Sequence, residues 1–186
     1  MDRREVEVVH ETRITRRRFL VGAAAGAAAL WLPRRAFGDE APGGALQAAL
    51  AASPLVYVSP LKKDGSESTC HGEVWFVTDA GDVLLVTAAD RWKARAVSQG
   101  LSRARLWVGD FGVWTRSGGR FKSAPSFDAK ASLEKDAAVH ARALEAFGKK
   151  YPAEWDKWGP RFRDGLADGS RVLIRYGDVR YGDGVN

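Results

Sequence analysis

Short apolar segments rich in β-branched and aromatic residues occupy most of the chain beyond residue 54, and turn-forming residues separate them. Such segments predict β-strands. The predicted strands cover residues 55–60, 68–78, 83–87, 104–108, 113–115, 121–131 and 170–176. Because about six strands precede any long helix, the pattern predicts a mainly β domain of antiparallel strands.

Four stretches have helical composition or spacing instead. The Ala/Leu-rich residues 45–52 and residues 91–101 predict short helices. From Ser132 the apolar residues recur at helical spacing, with Ser132 as the candidate cap, and residues 152–166 predict a second helix interrupted at Gly159 and Pro160. The predicted fold is a six- to seven-stranded antiparallel β-barrel with a short N-terminal helix and a helical insertion before the last strand.

The first 38 residues have the organisation of an export leader. Residues 15–20 read T-R-R-R-F-L, and a weakly apolar run follows at 21–32. This order resembles a twin-arginine (Tat) signal peptide with Arg16 and Arg17 as the arginine pair. The apolar run has twelve residues, fewer than the ~20 that span a bilayer, so no permanent membrane anchor is expected. A basic or buried N-terminal helix is the alternative.

The Tat resemblance implies transport of the folded protein by the Tat translocase to the periplasm or another exported location. It divides the chain into a signal peptide at 1–38, a linker at 39–44, a barrel domain at 45–176 and a tail at 177–186. Proteins that use this route often carry a cofactor inserted before export.

The net charge of +6 comes mostly from this leader. Residues 1–38 hold eight basic and four acidic residues, whereas the rest of the chain holds 21 and 19. A nearly neutral body does not support nucleic-acid binding. The single cysteine, Cys70, excludes an internal disulfide, and no Cys/His cluster has zinc-site spacing.

One segment has a sharper pattern. Residues 57–59, a turn at Asp64 and Gly65, and residues 74–77 are followed by 84–87 and then by A-A-D-R-W-K-A-R at 88–95. Over residues 45–176 this pattern resembles the split β-barrel family of pyridoxamine 5'-phosphate oxidase and its FMN- or deazaflavin-binding relatives. The resemblance implies an oxidoreductase that acts on a small molecule, with FMN or coenzyme F420 at the interface of a homodimer.

The resemblance also implies which residues hold the cofactor. Lys93 matches the family's phosphate-binding lysine and Thr87 its strand-end threonine, with Trp92 alongside. A phosphate group requires hydroxyl, backbone N–H and cationic donors. Thr87 offers a hydroxyl, Lys93 a charge and the following helix its N-terminus. Arg91 and Arg95 flank Lys93 at two residues on either side, so the three side chains cannot all face one phosphate on a helix.

The chain also departs from the family. Cys70 and Trp75 stand where the oxidase has an arginine and a lysine on the preceding strand. Three alternatives stay open: FMN held differently, a deazaflavin of the F420 type, or a barrel without a cofactor. A non-catalytic protein that binds heme, flavin or a small anion is the alternative function, with His71 as the candidate heme ligand. Cys70 is expected to be buried, and catalytic residues are unassigned.

Overall fold

The computed structural model describes residues 42–181, and these form one seven-stranded antiparallel sheet with four α-helices. The strand order is β2-β1-β5-β6-β7-β4-β3. The strands are β1 Val56–Pro60, β2 Gly72–Val74, β3 Val77–Asp79, β4 Asp82–Ala88, β5 Arg103–Val108, β6 Ser126–Glu134 and β7 Arg171–Tyr181. The edge strands β2 and β3 are consecutive in the chain, so the sheet curls until its edges approach. The fold is the predicted split β-barrel.

The helices lie at the places that the sequence predicts, with different ends. They are α1 Pro42–Ala52, α2 Trp92–Ser98, α3 Ala137–Lys150 and α4 Pro152–Asp168. Helices α3 and α4 form the insertion before the closing strand β7. No helix among residues 42–181 is both long enough and apolar enough to cross a membrane. The expected signal peptide, with Arg16 and Arg17, lies outside the described residues.

Strand β4 separates two apolar clusters, because successive side chains of a strand point to opposite faces. Val83 and Leu85 face the barrel interior, where α1 contributes Leu46 and Leu50. The alternate β4 residues Leu84 and Val86 pack against α3 and α4. A third cluster, mainly aromatic, lies around β1 and β5 and is built on Tyr57, Trp107 and Phe121.

The single strand predicted at 68–78 is instead two strands that pair with different neighbours. Strand β2 pairs with β1 and β3 pairs with β4, and Trp75 and Phe76 lie between them. The hydroxyl of Tyr151 accepts a hydrogen bond from the Phe76 N–H at 3.0 Å and donates to the Phe76 carbonyl oxygen at 2.8 Å. One phenol therefore replaces the ladder bonds that the break removes.

Two further strand predictions are wrong, because side chains bond to the nearby backbone in these segments. Residues 113–115 are not a strand, because Trp114–Arg116 is a short 3₁₀ helix whose Trp114 carbonyl accepts from the Ser117 hydroxyl at 2.7 Å. Arg120–Ser123 is a second 3₁₀ helix, so the extended segment predicted from residue 121 begins only at Ser126. Side chains that bond to nearby backbone compete with strand pairing.

The helical insertion also differs in detail. Ser132 belongs to β6, and Asp136 caps α3 by accepting from the Ala138 N–H at 2.8 Å. Helix α4 continues through Pro160, since the buried Trp158 and Phe162 anchor the turns on both sides of it. The closing strand is longer than predicted and extends to Tyr181.

Candidate functional site

Thr87 lies near the end of β4, at the barrel end from which the chain turns into α2. It pairs with Val172 of β7 and is 8% exposed. Because strand residues alternate between faces, Thr87 lies on the same face as Leu85, which belongs to the barrel interior. The Thr87 hydroxyl has no hydrogen-bond partner among the described residues. The hydroxyl can therefore donate a hydrogen bond to a ligand.

Trp92 and Lys93 are the first two residues of α2, which follows the turn after β4. The Trp92 ring packs against the barrel core. The Lys93 amine lies 4.7 Å from the centre of the Trp92 ring. A β-carbon added at Gly72 would lie 2.9 Å from Lys93 Nζ, so the amine rests directly on the backbone of β2. The missing side chain at Gly72 leaves the space that the amine occupies.

Lys93 is half-buried, and its amine lacks a polar partner within the described residues. The amine has no ion pair or hydrogen bond within residues 42–181. Burial, with a smaller contribution from the charge of Arg91, lowers the pKa of Lys93 to about 8 against the opposing attraction of Glu73. The amine is therefore mostly charged at neutral pH and available to an anion.

Thr87, Trp92 and Lys93 form one corner of the barrel end, and helix α2 adds little positive potential to this corner. Helix α2 has seven residues, about two turns, and the aligned peptide dipoles of so short a helix are few. The contribution expected from its N-terminus is correspondingly small. Arg95 is exposed, and Arg91 is half-buried at the residue before the helix. The cation that reaches the barrel wall is Lys93.

An open depression of about 430 Å³ is lined by residues that are close to Thr87 and Trp92 in the sequence. Its lining consists of Ala88, Ala89, Asp90, Ser170 and Arg171. Thr87, Trp92 and Lys93 do not line it. The assignment of these three residues to a cofactor stays a prediction.

Cys70 and Trp75, the two positions that differ from the oxidase pattern, contribute no positive charge to the corner at Lys93. Cys70 is exposed, contrary to the prediction that it is buried, because it lies in the loop before β2. The Trp75 ring stacks on Tyr151 at 4.4 Å between ring centres, as part of the cluster under α3 and α4. Neither side chain supplies a cation.

His71 lies beside Gly72 and contacts the aromatic cluster of β1 and β5. The centres of the Trp114 and Phe121 rings are each 5.5 Å from the centre of the His71 ring. Its Nδ1 atom is buried without a hydrogen-bond partner. Burial lowers the pKa of His71, and the charge of Lys122 lowers it further. The ring is therefore neutral at pH 7.

Two residues that sequence reasoning missed belong to the surroundings of Lys93. Gly72 provides the close approach described above, and a glycine within a strand pattern is the signal that could have indicated it. Glu73 accepts a hydrogen bond from the Trp114 N–H at 3.1 Å and attracts the Lys93 charge. No local pattern indicates this role for Glu73. Among residues 42–181, no group of three His, Cys, Asp or Glu side chains could hold a metal ion.

Comparisons with known proteins yield matches among solved structures alone. No protein-family model matches the chain, and no curated protein matches it. The heme storage protein HutZ of Vibrio cholerae is 15% identical with a TM-score of 0.49, over 70% of this chain and 85% of HutZ. A Listeria innocua protein described as "Putative Pyridoxamine 5'-phosphate oxidase" is 15% identical with a TM-score of 0.47, over 75% of this chain and 96% of that protein.

Campylobacter jejuni ChuZ is 10% identical with a TM-score of 0.48, and the match covers 70% of this chain and 50% of ChuZ. Identities of 10% to 15% assign no residue of this chain to a function.

Proposed function

We propose that this chain is an exported oxidoreductase of the split-barrel type, which binds FMN or coenzyme F420 and acts on a small molecule. One observation carries the proposal: the Thr87 hydroxyl and the Lys93 amine lie at one end of the barrel without polar partners among the described residues. Thr87 is 8% exposed and Lys93 is half-buried, so both groups have donor capacity that a ligand can use. A phosphate group accepts hydrogen bonds from donors of both kinds.

The protein's part in this reaction is binding and exclusion of water. Lys93 holds the phosphate by charge, Thr87 donates a hydrogen bond, and Trp92 provides an apolar wall. When bound, the flavin or deazaflavin would supply the hydride or electron chemistry. The small-molecule substrate and the second subunit of a homodimer are further parts of the proposal.

The cofactor proposal is tested on the full chain, expressed with its N-terminal residues in a host that has the Tat pathway. The visible spectrum and the small molecules released on denaturation are measured for the protein and for Lys93→Met. The control is Arg95→Met, which removes an exposed charge from the same helix. We expect a bound flavin or deazaflavin that Lys93→Met loses and Arg95→Met retains. Protein that carries neither cofactor, and binds neither when offered, would overturn the proposal.

Export is tested separately. Replacing Arg16 and Arg17 together by lysine should retain the protein in the cytoplasm, because the arginine pair is the feature that resembles the Tat signal. Fractionation followed by immunoblotting measures the location. Unchanged export of the double variant would contradict Tat transport without bearing on the cofactor.

A second candidate is a protein that binds a ligand and turns nothing over, with heme as the ligand that His71 suggests. The favouring observation is the neutral His71 ring, whose Nδ1 is buried without a partner. Because Nδ1 is enclosed, Nε2 is the nitrogen that could contact iron. A heme absorption band that His71→Ala abolishes would support this candidate over the first.

A further inference from the structure

Arg171, the first residue of β7, is held in place by contacts with helix α4. Its side-chain stem rests on the backbone of Gly165, where an added β-carbon would lie 2.7 Å from Arg171 Cγ. Its guanidinium carbon lies 5.7 Å from the centre of the Trp158 ring and 5.5 Å from the centre of the Phe162 ring. These three α4 residues are buried. The packing therefore fixes the position of the Arg171 cation.

The contacts of Arg171 leave its hydrogen-bonding capacity unused. Attraction to an aromatic ring does not satisfy the N–H donors that a guanidinium carries in its plane. No carboxylate or carbonyl oxygen pairs with these donors within residues 42–181. Arg175 of the same strand differs, because it pairs with Asp82 at 2.7 Å and with Glu134 at 2.8 Å. Arg171 is therefore a positioned arginine that lacks an acceptor in the described part of the chain.

Arg171 also lines the open depression of about 430 Å³ at the end of β4. Ala88 and Ala89 give this lining an apolar part, and Ser170 and Asp90 complete it. Pockets that hold small molecules have volumes of about 300 Å³ and above, so the depression has room for one. Because Arg171 is only half-buried, a ligand in the depression can contact its side chain.

Two carboxylates at or beside this lining decide which anion it suits. The Asp90 side chain is 84% exposed and lies 4.0 Å from Arg91, so solvent and that arginine weaken its field. Asp168 accepts a hydrogen bond from the Ser170 N–H at 2.8 Å. A doubly charged phosphate meets more repulsion from these two carboxylates than a singly charged carboxylate ligand does. The lining therefore favours a ligand with a single negative charge.

We propose that this depression binds small carboxylic acids, as their carboxylate anions, through Arg171. The planar guanidinium matches the two oxygens of a carboxylate, and such pairs form two parallel hydrogen bonds. Ala88 and Ala89 contact the apolar part of the acid. Binding at Arg171 requires neither a flavin nor the Lys93 amine, so the inference goes beyond the proposed function and does not depend on it.

The test uses the full-length protein, butyrate as the probe and butanol as the uncharged control. Nuclear magnetic resonance follows the Nε–H signal of Arg171 and the backbone signals of Ala88 and Ala89 during titration. We expect all three signals to shift with butyrate and to stay in place with butanol. Arg171→Gln should weaken butyrate binding by about 10-fold or more, because the charge-assisted hydrogen bonds are lost. Arg163→Gln, at an exposed position of α4, is the matched control and should leave the affinity unchanged.

Three further variants test the geometry. Arg171→Lys keeps the charge but removes the planar pair of donors, and it should weaken binding by about 5-fold. Gly165→Ala keeps every charge, but its β-carbon displaces the Arg171 stem, so binding should weaken by about 3-fold or more. Asp90→Asn removes a negative charge from the lining and should strengthen binding by about 2-fold.

Equal responses to butyrate and butanol would overturn the inference, and so would an Arg171→Lys variant that binds butyrate as tightly as the unchanged protein. The second result decides the matter even if Arg171→Gln does not fold. A protein that binds butyrate but neither flavin nor deazaflavin would refute the proposed function alone. A protein that binds the cofactor, and whose Arg171 signal does not respond to butyrate, would refute the carboxylate site alone.

Discussion

Lys93 and Lys150 are two half-buried lysines at different places on the barrel, and comparing them separates a cation that contacts the protein from one that is available to a ligand. Burial lowers the pKa of both to about 8. The Lys150 amine lies 3.3 Å from the centre of the Phe76 ring and contacts the Leu50 carbonyl oxygen. The Lys93 amine has the Trp92 ring and the Gly72 backbone beside it.

Burial alone therefore does not identify a functional lysine. Lys150 joins α1, α3 and the break between β2 and β3, and its contacts are with the protein itself. Lys93 leaves its hydrogen-bonding capacity unused within residues 42–181, so its amine can donate to the phosphate that we propose. The two lysines provide matched variants with the same change and different expected results.

We expect the strongest response in ligand affinity. Lys93→Met should weaken the binding of FMN or F420 by about 10- to 100-fold, because a charge-assisted hydrogen bond contributes about 1.5 to 3 kcal/mol. Lys150→Met should leave the affinity within about 3-fold. Titration calorimetry measures both. Equal losses in the two variants would remove the distinction between the lysines.

The second largest effect is expected on the free energy of unfolding, from a substitution at Tyr151, the residue next to Lys150. Tyr151→Phe removes the hydroxyl that bonds the Phe76 N–H and carbonyl and also lies 3.0 Å from the Pro54 carbonyl. We expect the free energy of unfolding to fall by about 1 to 3 kcal/mol, as for other buried groups left unpaired. Urea unfolding measures it. Tyr176→Phe, at a buried tyrosine of β7, is the control and should cost less; an equal loss would argue against the role of the Tyr151 hydroxyl.

The pH dependence of stability provides a second comparison of Lys93 with Lys150. Each folded-state pKa is lowered from 10.5 to about 8, so the folded protein carries a penalty for the charged amine at and below pH 8. The unfolded chain binds more protons between these values, and stability should therefore increase from about pH 8 to about 10.5.

Each methionine variant should remove part of that increase. A bound phosphate should remove the part due to Lys93 and leave the part due to Lys150, because the anion stabilises the charged Lys93 amine alone. Denaturant unfolding at a series of pH values, with and without the ligand, gives the result. A ligand effect on the Lys150 part would contradict the distinction.

Gly72→Ala should have the weakest effect. The new β-carbon would lie 2.9 Å from Lys93 Nζ, so the end of this flexible side chain must move away from β2. We expect ligand affinity to fall by a few-fold, roughly 1 kcal/mol or less, and the pKa of Lys93 to increase toward its ordinary value as the amine gains solvent. The pH profile of the Lys93 side-chain signals in an NMR titration checks the pKa. An unchanged profile would show that the amine does not rest on Gly72.

Much of the fold was predictable because neighbouring residues decide it. The apolar, β-branched composition of residues 83–87 predicted β4, and the helical spacing after Ser132 predicted α3. The wrong strand predictions at 113–115 and from residue 121 come from local side-chain bonding, whereas one failure depends on a side chain that is distant in the sequence. The break at Trp75 and Phe76 depends on Tyr151, which is 75 residues from Phe76 along the chain.

The candidate site was predictable in part for the same reason. Thr87, Trp92 and Lys93 follow one another closely, so a local pattern could single them out. Gly72 approaches Lys93 from another strand, and Glu73 acts on its charge across space. The residues next to Lys93 in the sequence indicate neither of these interactions.

The order of residues alone was enough to indicate a strand-rich domain, the succession of its helices and strands, and a residue set suited to a phosphate group. Packing between distant segments left the half-buried Lys93 amine without a polar partner among the described residues and gave Lys150 its contacts. The physical reason is that burial and hydrogen-bond satisfaction depend on which atoms surround a group in space. Chain neighbours supply few of those atoms, and the folded barrel supplies the rest.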